Sequence, residues 1–166
     1  MSASAGDGAP EPVPSPLALL PGAAIAGCAA ADAEGVLRAL AARLLASGAV
    51  TGSFEEAVLA REAAYPTGLP TIVPAAIPHT DPEHVLRPGL AVATLQAPVA
   101  FGEMGSSGAE VQVQLVVMLV LADAHSQLAA LQSLIARLQD EAAVREVLAA
   151  RDDADLEARA RAWLAG

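Results

Sequence analysis

The chain carries three histidines, His79, His84 and His125, and a single cysteine, Cys28. An imidazole suits nucleophilic or proton-transfer work near neutral pH, because its unperturbed pKa is about 6.5. The default for any one histidine is a surface or hydrogen-bonded residue, and His79 departs from it by context. It follows Ala76-Ile77-Pro78 at the end of an apolar stretch, in a proline-restrained loop that would hold the ring rigidly at a sheet edge. The window His79-Thr80-Asp81-Pro82-Glu83-His84 also admits a metal-dependent hydrolase built on His79 and His84. Two histidines five positions apart share no helical face, however, and Pro78 and Pro82 oppose a helix. No third distant ligand is indicated, so the spacing calls for no metal.

Other nucleophiles are poorly placed. There is no Gly-x-Ser-x-Gly elbow, and Cys28 falls on an apolar stretch expected to be a buried strand, with no histidine near it in sequence. Gly102-Glu103-Met104-Gly105 lacks the strand-to-helix setting of a dinucleotide fingerprint and reads as a turn. All nine basic residues are arginines. Without a lysine, P-loop, protein-kinase and Schiff-base chemistries are excluded.

A formal charge of −10 and four scattered aromatics (Phe54, Tyr65, Phe101 and Trp163) argue against nucleic acid as a partner. Arg159 and Arg161 follow Asp152, Asp153, Asp155 and Glu157, so even this basic pair has no positive surroundings. One cysteine allows no intrachain disulfide and fits a reducing compartment. The apolar run over 17–31, with its Ile25-Ala26-Gly27-Cys28 box, resembles a lipoprotein signal, but no basic residue precedes Arg38 and Pro21-Gly22 interrupts it. It is too short to span a bilayer, so no membrane insertion and a cytoplasmic location are expected.

The elements that must position these residues follow from pattern. Residues 1–16, rich in Ser, Ala and Gly with prolines at 10, 12, 14 and 16, read as a disordered tail, and 17–166 as one folded domain. A length of 166 residues with 54% hydrophobic content supports a single core. A strand is expected at 23–28. Asp32 then caps a helix to Ser47, with Leu37, Leu40, Leu44 and Leu45 on its apolar face and Gly48 as its stop. Ser53-Phe54-Glu55-Glu56 predicts a capping box, opening a helix that buries Phe54, Ala57, Val58 and Tyr65 and ends before Pro66.

Prolines 66, 70, 74, 78 and 82 then punctuate an irregular segment that has room for a short strand at 75–77. Strands follow at 90–96, which alternates, and at 111–121, which turns continuously apolar as a central strand does. Gly102, Gly105 and Gly108 mark the turns between them. Leu128, Leu131, Leu134, Ile135 and Leu138 line a helix; Asp140 and Asp152 or Asp153 cap two shorter ones, the last reaching Trp163. This order predicts an α/β fold, a mixed β-sheet flanked by helices in an α/β/α sandwich.

Three segments together carry a family resemblance. They are Ala60-Arg61-Glu62 leading to Tyr65-Pro66-Thr67-Gly68-Leu69-Pro70-Thr71, then Ala76-Ile77-Pro78-His79-Thr80-Asp81-Pro82-Glu83-His84-Val85, and Pro98-Val99-Ala100-Phe101-Gly102-Glu103-Met104-Gly105. The combination resembles enzyme IIA of the sugar phosphotransferase system (PTS), in its fructose/mannitol-type superfamily and, within that, the galactitol-like branch. The resemblance implies that His79 is transiently phosphorylated, on Nε2. The donor would be the phosphohistidine carrier protein HPr and the acceptor a cysteine of enzyme IIB, serving uptake of a sugar or sugar alcohol with no cofactor.

Arg61 matches the family's arginine and would complement the phosphoryl oxygens. Thr67 and Gly68 match the adjacent loop, Gly68 permitting close backbone approach and Thr67 offering a hydrogen bond. Thr80 would bond near the phosphohistidine. The superfamily's second active-site histidine, counted back from Leu138 and the acidic pair after it, falls on Gln127, with His125 two residues earlier as a substitute. Nitrogen-type IIA relatives, which regulate by phosphorylation-dependent binding, are the alternative within the same resemblance.

Overall fold

The computed structural model describes residues 17–165; the expected tail at 1–16 lies outside the described residues. Strand β1 (Leu19–Cys28) opens the fold, followed by helices α1 (Ala33–Ala46) and α2 (Phe54–Ala64). Two short strands, β2 (Gly68–Leu69) and β3 (Ala75–Ala76), lead to a single 3₁₀ turn at Pro82–His84. The long hairpin β4 (Gly89–Gly102) and β5 (Glu110–Val120) precedes helices α3 (Ala124–Leu138), α4 (Glu141–Leu148) and α5 (Asp153–Ala165). The strands form one mixed sheet in the order β1-β4-β5-β3-β2. β1 runs parallel to β4 and β3 parallel to β5, while the β4–β5 and β2–β3 pairs are antiparallel.

The alternation of β5 explains the layering. Val116, Met118 and Val120 pack with α1 and α2, whereas Leu115, Val117 and Leu119 pack with the three C-terminal helices. Each side chain of a strand points to the face opposite its neighbours'. A strand apolar at every position therefore serves two cores and must be central. The α/β/α sandwich with a mixed sheet is as expected.

Several start and stop signals act locally as read. The Asp32 side chain accepts from the Gly35 amide, and Gly48, at φ +78°, ends the first helix. The Asp140 carboxylate accepts from the Ala143 amide and that of Asp152 from the Asp155 amide. α2 stops before Pro66.

Other readings need correction. Ser53 forms no capping box: its backbone is already helical, and its hydroxyl bonds Thr51 Oγ1 at 2.7 Å and His84 Nδ1 at 2.8 Å instead. Leu45, Tyr65 and Leu128, assigned to buried faces, are more than half exposed. β1 starts before residue 23 and absorbs Pro21-Gly22 as a bulge, with Gly22 at φ +75°. β4 runs on through Pro98 because its register shifts between Thr94 and Val99, leaving the proline in the irregular stretch. Nor does β4 alternate between core and water over 90–94, since both of its faces are covered there.

The outer edge of β1 is covered by side chains from both helix layers. From α5, Asp153 Oδ1 accepts the Ala26 amide at 2.8 Å and Glu157 Oε1 the Gly22 amide at 3.3 Å. From α1, Arg43 Nη1 donates to the Gly22 and Ala24 carbonyls, and its Nη2 reaches Asp153 Oδ2 at 2.8 Å.

Candidate functional site

β3 delivers His79. The pairing of β3 with β5 continues past Ala76, since the Leu119 amide donates to the Pro78 carbonyl at 2.9 Å. His79 therefore leaves the sheet at the carboxyl ends of two parallel strands, where open α/β sheets place their ligands. The N-terminus of α3 follows β5 there, and the Gln127 side-chain amide donates to the Thr80 carbonyl at 3.2 Å. Both His79 and Thr80 are buried.

The His79 ring is fixed by one bond, Nδ1 to the Ile77 carbonyl at 3.1 Å. A carbonyl only accepts, so Nδ1 carries the proton and Nε2 keeps its lone pair. Burial holds the imidazole pKa below the ordinary histidine value. The Ile77 bond pulls it upward, Arg61 adds to the lowering and Asp81 opposes it. The result is a neutral, nucleophilic ring at physiological pH.

The imidazole lines a cleft of about 320 Å³, shared with Arg61, Tyr65, Thr67, Met104 and Ser106. Arg61 comes from the last turn of α2. Its guanidinium sits 5.0 Å from the centroid of the Tyr65 ring and 3.4 Å from Asp81 Oδ1. The Arg61 Nε is buried with no hydrogen-bond partner among the described residues. A buried N–H without an acceptor is costly, which sets Arg61 apart among the residues lining the cleft.

Gly68 ties together the two segments that supply Thr67 and Met104 to the cleft. Its carbonyl accepts from the Met104 amide at 2.8 Å, and a Cβ there would lie 2.6 Å from the Gly102 carbonyl oxygen. The Thr67 hydroxyl does not point a donor into the cleft, because it donates to Glu62 Oε1 at 2.8 Å. Glu62, a buried carboxylate, is the residue the sequence reading left without a role, although it stands in the Ala60-Arg61-Glu62 segment of the resemblance, five positions before Thr67. His125 lies exposed on the first turn of α3, and of the two candidates for the second family position it is Gln127 that bonds the His79 loop. His84 is turned to Ser53, and among the described residues no three metal-capable side chains converge.

Comparison with known proteins decides the family. The model for "Phosphoenolpyruvate-dependent sugar phosphotransferase system, EIIA 2" matches residues 24–159. The chain belongs to this family. As a type 2 EIIA component it is a phosphotransferase that works through a phosphohistidine, relaying phosphoryl from HPr to enzyme IIB.

The EIIA fold is shared with solved structures of low sequence identity. The mannitol IIA of Escherichia coli superposes with a TM-score of 0.67 at 23% identity, over 83% of this chain and 95% of that one. The same organism's mannitol IIA in complex with phosphorylated IIB gives 0.69 at 23% identity, over 88% and 99%. The nitrogen regulatory protein IIA of Neisseria meningitidis gives 0.62 at 16% identity, over 86% and 95%. No curated protein sequence matches the chain. No described helix is long and apolar enough to cross a membrane.

Proposed function

We propose that His79 Nε2 is the phosphoryl acceptor of this EIIA protein and that residues 17–166 form its working domain in the cytoplasm. HPr docks over the cleft, and the Nε2 lone pair attacks phosphorus in line. A new N–P bond forms while the donor's N–P bond breaks, its electron pair staying with the donor's imidazole. The phosphoryl group then passes to a cysteine thiolate of enzyme IIB. The observation that carries this reading is the bond from His79 Nδ1 to the Ile77 carbonyl, which commits the tautomer that leaves Nε2 nucleophilic beside Arg61.

Transfer of this kind needs positioning and charge compensation more than proton chemistry. Arg61 supplies the charge, Gly68 the close backbone approach that sets Thr67 against Met104, and Gln127 holds the Thr80 carbonyl where the superfamily's second histidine would stand. The Tyr65-to-Thr71 segment supports a transport role of galactitol-like type, for a sugar or sugar alcohol. The regulatory alternative has only the shared fold behind it.

The test is incubation with phosphoenolpyruvate, enzyme I and HPr, followed by mass-spectrometric mapping at mildly alkaline pH. Acid-labile phosphate on His79, absent from His79→Ala, is expected. No phosphate from a cognate donor would overturn the assignment.

A further inference from the structure

Glu62 is nine-tenths buried, yet it lies next to Arg61 on the turn of α2 that faces the cleft. Its carboxylate accepts two bonds from one residue: Oε2 from the Thr67 amide and Oε1 from the Thr67 hydroxyl, each at 2.8 Å. Burial raises its pKa in spite of both bonds. Enclosing a carboxylate is costly, so packing alone gives no reason to keep one here. The bonds continue beyond Thr67. The Thr67 carbonyl accepts from the Ile77 amide at 3.3 Å, and the Ile77 carbonyl accepts from His79 Nδ1 at 3.1 Å.

We propose that Glu62 is a positioning residue for phosphoryl transfer: its carboxylate fixes Thr67, Thr67 fixes Ile77, and Ile77 fixes the tautomer and orientation of the His79 imidazole. The proposal rests on the reading of His79 as the phosphoryl acceptor. It also assigns the donors in the cleft. Glu62 accepts the hydrogen bond that the Thr67 hydroxyl can donate, so the positive pole offered to the phosphoryl oxygens comes from Arg61. A carboxylate suits this brace because both of its oxygens accept, whereas an amide at the same place offers one acceptor and one donor. In a glutamine variant the amide oxygen keeps the Thr67 N–H, and the NH₂ group donates to a hydroxyl that has rotated. The path to His79 survives that exchange. Alanine breaks it.

The test pairs ¹⁵N NMR of the unphosphorylated His79 ring with rapid-quench phosphorylation by phospho-HPr, in wild type, Glu62→Ala, Glu62→Gln and Glu62→Asp. Wild type is expected as the Nδ1–H tautomer. Glu62→Ala should show a mixture of tautomers and accept phosphoryl about 10- to 100-fold more slowly, the scale of sub-ångström to ångström misplacement. Glu62→Gln should restore the Nδ1–H form and most of the rate. A Glu62→Ala protein with a pure Nδ1–H ring and a rate within about twofold of wild type would overturn the proposal. Should Glu62→Ala fail to fold, Glu62→Asp decides in its place. Its carboxylate is one methylene short of spanning both donors, so an unchanged tautomer and rate there overturn it equally. Failure of the underlying reading looks different, because wild type itself would then carry no phosphate on His79 whatever the ring's tautomer.

Discussion

Replacing Gly68 by alanine tests the close backbone approach behind the cleft residues Thr67 and Met104. A Cβ at this position would meet the Gly102 carbonyl oxygen at 2.6 Å, with the Gly102 carbonyl carbon and Phe101 Cβ both at 3.3 Å. Two of these three are backbone atoms of β4, whose residues 99–102 are paired one by one with β5 and cannot swing aside as a flexible side chain would. The ordinary contact distance between carbon and oxygen is about 3.3 Å, so β2 or β4 must give by roughly 0.7 Å. Overpacking of this sort costs about 1–3 kcal/mol. At about 2–4 °C per kcal/mol for a chain of this size, the melting temperature should fall by about 2–12 °C. The shift also moves Thr67 and Met104, which flank His79, so phosphorylation by HPr should slow by up to about 100-fold. Gly52→Ala is the control, because nothing lies within 4 Å of its built Cβ. Calorimetry and rapid-quench phosphorylation read the two effects. A Gly68→Ala protein that melts and reacts like Gly52→Ala would refute the reasoning.

Arg61→Gln should slow phosphoryl acceptance about tenfold, the low end of the charge-assisted range because Asp81 and solvent share the guanidinium; rapid-quench kinetics would show an unchanged rate if Arg61 were only a surface charge. The depressed pKa of His79 gives stability that is present above the unfolded value of about 6.5 and lost as the pH falls through it. The urea midpoint of wild type should accordingly drop relative to His79→Gln between about pH 7.5 and 5.5, and parallel curves would contradict this. Glu62 has the opposite sign: its pKa is raised, so its contribution is complete below the unfolded value of about 4.3 and lost as the pH rises through the folded one. Wild type should therefore lose stability relative to Glu62→Gln from about pH 4.3 toward neutrality, and a flat difference across denaturant titrations would count against an ionised, buried Glu62.

What the sequence made legible was mostly local. Asp32, Gly48, Pro66 and Asp140 act within four residues of themselves, the two aspartates starting a helix and Gly48 and Pro66 ending one where read. The apolar run of β5 was readable because a strand covered on both faces has no polar positions to spare. The misreadings share a different cause. Ser53 looked like a cap, but the 3₁₀ turn brings His84 from 31 positions away to take its hydroxyl. Pro21 looked like an interruption and the strand expected at 90–96 stopped short of Pro98, yet irregularities in the β1–β4 and β4–β5 registers accommodate both prolines. In the site, His79 stood out through its proline-flanked context, and Gln127 and Thr80 lie 47 positions apart yet bond directly. Glu62 went without a role because its partner lies beyond the end of its own helix, where periodicity no longer applies.

The sealed margin of β1 has a bearing on how a phosphorelay component behaves in a crowded cell. An open strand margin is a template on which any other extended chain can add, and a protein that must meet two partners in turn is repeatedly close to other chains. Here the carboxylates of Asp153 and Glu157 occupy the Ala26 and Gly22 amides on that margin and Arg43 the Gly22 and Ala24 carbonyls, so the middle of the strand is withdrawn from pairing with another chain. Both carboxylates are held below their ordinary pKa, Asp153 chiefly by the Ala26 amide and Glu157 chiefly by Arg161. These carboxylates therefore stay charged to a lower pH than free side chains would, and their protonation should uncover the β1 amides they now occupy.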